Sequence, residues 1–150
     1  MNDIYNAYVV ASHATFDLAP ISETRRLEWF REHDDDRYRV FVSVADGVVT
    51  GYASSSRYRP KAGYETTVET SVYVSPDHLG RGTGTSLYAA LFEALAGLDL
   101  HRALAGIAGP NVASVALHRR FGFQPVAHFS EQGRKFGRYW DVDWFERALD

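Results

Sequence analysis

One stretch constrains this chain more than any other: Val72-Tyr73-Val74-Ser75-Pro76-Asp77-His78-Leu79-Gly80-Arg81-Gly82-Thr83-Gly84-Thr85-Ser86-Leu87 passes from strand to glycine turn to helix without a break. Val72, Tyr73 and Val74 favour a pleated strand, and Ser75-Pro76 ends it. Glycines at 80, 82 and 84 let a backbone approach a ligand closely. The free N–H groups and positive end of the following helix attract an anion such as a pyrophosphate, and Arg81 adds a local positive charge. A Walker A loop needs Lys and then Ser or Thr after its last glycine. Here Thr85-Ser86 follow Gly84 directly, which excludes a P-loop NTPase. The dinucleotide fingerprint needs a sixth-position glycine, but counting from Gly80 that position is Thr85. That disfavours the dinucleotide reading, and a third one is a pyrophosphate site for coenzyme A after the strand-to-helix turn.

The rest of the chain, 150 residues in all, is enough for a single domain with one core. Ile4, Tyr5, Tyr8 and Val9 share one face of a helix from Asp3 to about Ser12. Ser22 offers an N-cap to a second helix, with Glu23 in its first turn and Leu27 and Phe30 on one face. The acidic run His33 to Asp36 then reads as a solvated loop. From Tyr38 the period becomes two, with Val40, Val42 and Val44 alternating with Arg39, Phe41 and Ser43 before an Asp46-Gly47 hairpin signal. A return strand from Val48 to about Ser55 and a β-branched strand from Thr66 to Val74 complete a meander, which opposes a Rossmann reading a second time. Leu87, Leu91 and Leu95 at spacing four mark the helix after the glycine turn, and Gly97 stops it. His101 to Ile107 reads as a buried strand, parallel to the third through a right-handed crossover. A helix from Val112 to Arg120 and strands near Gln124 to Phe129 and Phe136 to Phe145 finish the chain. The expected fold is α+β: a mixed, mostly antiparallel sheet flanked by helices.

Composition narrows the function. A formal net charge of -3 and a pI near 6.0 give no global basic field, so nucleic acid is not the expected partner. With no Cys there is no disulfide framework, thiolate nucleophile or Cys-based zinc site. His33, His78, His101 and His128 show no paired ligand spacing, so no metal is expected. Apolar runs are short and the start MNDIYNAYVV lacks the pattern of a signal peptide, which points to the cytoplasm and away from membranes.

Leu79-Gly80-Arg81-Gly82-Thr83-Gly84 resembles motif A of the GNAT superfamily of N-acetyltransferases, written Gln/Arg-x-x-Gly-x-Gly/Ala, with Leu79 in place of the usual polar residue. Asn111 to His118 followed by Phe121-Gly122-Phe123 is similar to that family's Asn-to-Tyr helix, with His in place of the Tyr. Within the family, His13-Ala14-Thr15-Phe16, Thr67 to Val74, Leu117-His118 and Gly133 to Tyr139 resemble the phosphinothricin and methionine sulfone or sulfoximine acetyltransferases. The likeness covers essentially the whole chain. Such proteins usually begin with a strand and loop before the first helix. This chain starts inside that helix, so the usual first strand is expected to be missing.

The resemblance implies a parallel pair of strands splayed around acetyl-CoA. Backbone groups of Val72, Tyr73 and Val74 would address its acetyl and pantetheine portions, Gly80, Arg81, Gly82, Thr83, Gly84 and Thr85 its pyrophosphate, and Asn111 and Ser114 its pantetheine arm. Glu69 lies mid-strand with Thr67, Ser71 and Tyr73 as same-face neighbours. A solvated sheet face would explain it; the resemblance instead makes it the general base, because an ammonium must lose a proton before it can attack. His118 would then donate a proton to the leaving thiolate, against the plainer reading of a packing histidine.

For the acceptor, the resemblance favours Phe16 and Phe136 as pocket walls, with Tyr64 and Thr67 beside them. Arg57, Lys135 and Arg138 are candidates to hold a carboxylate, against the plainer reading of surface charge. Glu65 places an acid where sulfone-acetylating relatives tend to carry a base. The implied activity is direct acetyl transfer from acetyl-CoA to the amino group of a small amino acid or analogue, by a homodimer. A coenzyme A-binding domain of the same fold without turnover, and acetylation of a protein N-terminus or a polyamine, stay open as alternatives.

Overall fold

The computed structural model describes residues 1–33 and 36–149. Asp34 and Asp35, most of the acidic loop expected after the second helix, lie outside the described residues. Helices α1 (Asn2–Ala11) and α2 (Glu23–Arg31) lead into strands β1 (Val40–Ala45), β2 (Val48–Arg57) and β3 (Thr67–Val74). Helix α3 (Thr83–Leu95), strand β4 (Arg102–Ala108), helix α4 (Val112–Arg120) and strands β5 (Gln124–Lys135) and β6 (Arg138–Ala148) follow. The six strands form one sheet in the order β1-β2-β3-β4-β6-β5, in which only β3 and β4 run parallel. This is the α+β architecture the sequence predicts.

Local chemistry accounts for each junction. Asp46 and Gly47 both take positive φ, 50° and 77°, the backbone a two-residue hairpin needs. Gly82 is the N-cap of α3 at φ 82°, and Gly97 at φ 78° lies just past that helix's end. α3 buries Leu87, Tyr88, Leu91, Phe92 and Leu95 among the core residues Ala53, Val68, Ala103 and Ala105. Each such large side chain contributes about 1.5–3 kcal/mol by leaving water. Val68 and Thr70 of β3 point to this side, while Thr67, Glu69, Ser71 and Tyr73 point to the other, where α1 supplies Tyr5 and Tyr8 against Tyr73.

Two expectations are corrected. In α2 the predicted apolar face is turned outward, with Leu27 and Phe30 exposed. The buried residue is Arg26, whose guanidinium lies over the rings of Tyr5, Trp29 and Tyr52. A planar cation that gains ring contacts displaced aliphatic burial here. The last two strands also meet later than predicted. β5 continues to Lys135 and β6 starts at Arg138, so Phe136 is not in a strand but at the turn. Phe136 and Gly137 hold φ of 54° and 75°, and Lys135 pairs with Arg138 across them. The turn was hidden because Phe-Gly lacks the Asn or Asp that usually signals this backbone.

Candidate active site

The parallel ladder between β3 and β4 is short: Thr67, Val68 and Glu69 pair with Arg102, Ala103 and Leu104, and the strands then separate. The Thr70 hydroxyl donates to the Leu104 carbonyl at 3.3 Å where pairing ends. Beyond that point a cleft of about 390 Å³ opens between the strands, bounded by Val72, Tyr73 and Val74 on one side and Gly106 to Ala108, Asn111, Ser114 and His118 on the other. Ser75 N–H bonds to the Thr50 carbonyl of β2. The alternation of an antiparallel ladder therefore aims the N–H groups of Val72 and Val74 away from β2, into the cleft. The Val74 carbonyl is already taken by the Tyr8 hydroxyl at 2.6 Å.

At one end of the cleft, Leu79, exposed, stands at its edge, and Gly80 and Gly82 adopt φ of 73° and 82°. Gly82, the N-cap of α3, has no side chain with which to cap it. The N–H groups of Thr83, Gly84 and Thr85 therefore precede the first intrahelical bond, Ser86 N–H to Gly82 O. This is an anion site made of backbone, and Arg81 is exposed beside it. Gly84 is needed for a different reason: a methyl there would lie 3.2 Å from Leu117, so its absence lets α3 and α4 approach.

Asn111 caps α4, its side-chain oxygen accepting from Ser114 N–H at 3.1 Å. His118, 3% exposed, ends up in the cleft wall. Its Nδ1 lies 2.7 Å from the Ser114 carbonyl and its Nε2 2.8 Å from the Tyr88 hydroxyl. A carbonyl only accepts, so Nδ1 carries the hydrogen and Nε2 accepts from Tyr88. Burial pushes the imidazole pKa below its usual value, keeping the ring neutral.

Glu69 sits at the last rung of the parallel ladder, half-buried, on the sheet face shared with Thr67, Ser71, Leu104, Gly106 and Trp144. Burial raises its carboxyl pKa above the ordinary glutamate value. Among the described residues none is hydrogen-bonded to that carboxylate. Tyr58 meets both Trp144 and Tyr64, at centroid distances of 6.4 and 5.7 Å, so an aromatic wall stands beside this face.

The remaining predicted residues are dispersed. The Phe16 ring lies over Gly133, where any methyl would overlap it. Lys135 is 3% exposed and its ammonium donates to the Thr15 carbonyl at 2.7 Å, tying the loop after α1 to β5. Phe136 is exposed at the hairpin turn, with the Lys135 ammonium 5.2 Å from its ring centroid. Arg57 is exposed at the end of β2, its guanidinium over Tyr38 and away from the coenzyme cleft. Tyr64 is exposed, and the carbonyl of Glu65 accepts from Arg37.

Sequence reasoning missed Tyr8, Tyr88 and His13 as parts of the site. His13 lines the cleft, stacks on Trp140 at 3.9 Å and reaches the Pro110 carbonyl at 3.2 Å. Tyr88 carried a signal, a lone hydroxyl among the apolar positions of α3 that had to find a buried partner. Among the described residues no group of three His, Asp or Glu side chains could hold a metal ion, and no helix is long and apolar enough to cross a membrane.

Comparison with known proteins agrees with this geometry. The model of the acetyltransferase (GNAT) family matches residues 1–123. The chain is 53% identical over 152 residues to phosphinothricin N-acetyltransferase of Streptomyces coelicolor, covering 99% of this chain and 89% of that protein. It is 37% identical to the L-methionine sulfoximine/L-methionine sulfone acetyltransferase of Salmonella typhimurium, covering 100% of this chain and 88% of that protein. The structure of an acetyltransferase from Salmonella typhimurium with its cofactor acetyl-CoA superposes with a TM-score of 0.94 at 38% identity, over 99% of this chain and 86% of the other.

Proposed function

This chain belongs to the acetyltransferase (GNAT) family and is an acetyl-CoA-dependent N-acetyltransferase, and we propose that it acetylates the amino group of a small amino acid analogue of the phosphinothricin or methionine sulfone and sulfoximine type. The proposal treats residues 1–150 as one catalytic domain. The cleft fits acetyl-CoA on its own terms: uncapped N–H groups at α3 suit a pyrophosphate, and the unpaired strand edge suits the amides of an extended arm. Bound there, the cosubstrate supplies an activated acetyl thioester.

The observation that carries the mechanism is the Glu69 carboxylate, half-buried and without a hydrogen-bond partner among the described residues, where the two parallel strands part. Its raised pKa makes it a better base than an exposed glutamate, and it takes the proton of the acceptor ammonium. One of the cleft-facing N–H groups of Val72 and Val74 donates to the oxygen on which negative charge develops, and the other to the pantetheine arm. Phe16, Thr67, Tyr64 and the aromatic wall enclose the acceptor, with Phe136 at its rim. Of the expected cations, Arg57 pairs with Val68 and so points to the opposite face of the sheet from Glu69, and the Lys135 ammonium is engaged by the Thr15 carbonyl, so neither is assigned to the acceptor's carboxylate. His118 donates a proton to the departing thiolate.

One observation favours a second reading of His118. Both of its ring nitrogens are engaged, so donation requires Nδ1–H to leave the Ser114 carbonyl. In that reading His118 and Tyr88 only fix α4 against α3.

We also place the enzyme in the cytoplasm as a homodimer. The exposed Val126 and Phe129 side chains of the edge strand β5 support association, checked by sedimentation.

The acceptor is tested by thiol release from acetyl-CoA with phosphinothricin, methionine sulfone, methionine sulfoximine, a polyamine and an N-terminal peptide. Release with the first three is expected. Release with the polyamine or peptide alone moves the substrate class, and release with none favours a coenzyme-binding domain without turnover.

A further inference from the structure

We infer that Ser56 and His33 form the route by which the proton taken up by Glu69 leaves the site. The inference rests on Glu69 as general base. When an ammonium becomes an acetamide it gives up two protons: one ends on the coenzyme thiol and the other must reach solvent. Glu69 has to be emptied in every turnover, while the acceptor occupies the sheet face that it shares with Thr67 and Ser71.

The other direction is furnished. Ser56 of β2 pairs directly with Glu69 of β3, so the two side chains stand on the same face. They occupy a hydrogen-bonded rung of the ladder, where α-carbons are about 5.5 Å apart. A hydroxyl and a carboxylate so placed can be joined through one bridging water. On its far side, Ser56 Oγ lies 3.1 Å from His33 Nε2. His33 Nδ1 lies 2.8 Å from the Trp29 carbonyl, which can only accept, so Nε2 accepts from the Ser56 hydroxyl. The Trp29 ring, 4.2 Å from the imidazole, braces this orientation.

His33 and Ser56 line a second cavity of about 530 Å³ together with Glu32, Tyr38 and Arg57, and none of these residues borders the coenzyme cleft. The route therefore opens to a cavity of its own. The transfer balances. The Glu69 proton passes through the bridging solvent to Ser56 Oγ as the hydroxyl's own proton moves to His33 Nε2. The imidazolium breaks its Nε2–H contact with Ser56, gives that proton to water in the second cavity, and re-forms the bond as the Ser56 hydroxyl turns back to Nε2. One proton reaches solvent, and all three residues return to their starting states.

The plainer alternative is that the Ser56–His33 bond merely pins the end of α2 to β2, and the test separates the two. Ser56→Ala, His33→Ala and His33→Gln are assayed at saturating substrates in weak buffer, with and without added imidazole, alongside Glu69→Gln. The relay predicts that Ser56→Ala and His33→Ala lower kcat by up to about tenfold, less than loss of the base itself. The KM for acetyl-CoA stays unchanged. Added imidazole restores kcat in His33→Ala but leaves the wild type as it was, and His33→Gln, which can bond but not carry a proton, stays slow. Wild-type kcat in Ser56→Ala, recovery by His33→Gln, or indifference of His33→Ala to imidazole overturns the inference. Should His33→Ala fail to fold, Ser56→Ala decides, through a solvent isotope effect on kcat larger than that of the wild type. If Glu69→Gln loses its rate while the Ser56 and His33 variants keep theirs, only the relay is wrong. If Glu69→Gln keeps its rate, the base assignment falls with it.

Discussion

Strand β3 has two faces that answer to different demands. Toward α3, Val68 is 0% and Thr70 3% exposed, and the neighbouring strand approaches so closely that a methyl on Gly51 would lie 2.9 Å from the Tyr73 carbonyl oxygen. Toward α1, Thr67, Glu69, Ser71 and Tyr73 are half-buried, and Glu69 is held where burial disfavours its charge. The first face is filled to the density of a crystal and fixes the path of the strand. The second leaves room and keeps an ionisable group in an unfavourable setting, which a packed face cannot do. Fold and chemistry are therefore separated by a single alternation of side chains, and a one-residue slip would exchange them.

Substitutions on each side should fail in different ways. The largest effect is expected at the helix terminus that closes the cleft. Gly82→Asp puts a β-carbon at φ 82° and a negative charge where phosphates bind, so acetyl-CoA should no longer raise the melting temperature and turnover should vanish. A normal thermal shift would move the pyrophosphate site elsewhere. On the packed face, Gly51→Ala forces backbone or Leu87 to shift and should destabilise by about 1–3 kcal/mol in denaturant titration, while the folded fraction keeps its kcat.

His118→Phe should lower kcat by about 10²-fold with little change in coenzyme affinity if His118 donates the proton. Tyr88→Phe should then be much milder. Equal, small effects of the two in steady-state kinetics would leave only the bracing of α4. The smallest effect concerns stability. A carboxyl with a raised folded-state pKa binds its proton more tightly in the folded protein. Its stabilising contribution is complete below the unfolded value and is lost as pH rises through the folded one. Glu69→Gln should therefore melt higher than wild type at neutral pH, with the difference closing toward about pH 4. No difference at neutral pH would mean that the carboxylate is well solvated.

The packed face was legible in the sequence and the open one only in part. Leu87, Leu91 and Leu95 at spacing four and the β-branched run of β3 announce their partners, because burial imposes periodicity on residue type. The glycine turn was legible because φ above zero and a close helix contact both exclude side chains. The order β4-β6-β5, the hairpin at Phe136-Gly137 and the outward face of α2 depend on contacts distant in sequence. Glu69 and His118 could be named from resemblance, but the hydrogen bonds of His118 and the isolation of Glu69 arise only once α4 and β4 are in place. Lys135 read as a candidate to hold the acceptor's carboxylate, yet Thr15, far away in the chain, holds it buried. Ser54-Ser55-Ser56, three hydroxyls inside one strand, was a signal of a polar lining that went unread.

The account depends most on Glu69 removing the acceptor's proton. The direct measurement is kcat for Glu69→Gln and wild type from about pH 6 to pH 10, with acetyl-CoA and phosphinothricin, across the range in which an α-amine becomes neutral. The account predicts a loss of about 10²–10⁴ near neutrality that shrinks as pH rises, because the acceptor then arrives already deprotonated. A variant within a few-fold of wild type throughout, or a deficit that does not change with pH, would contradict it.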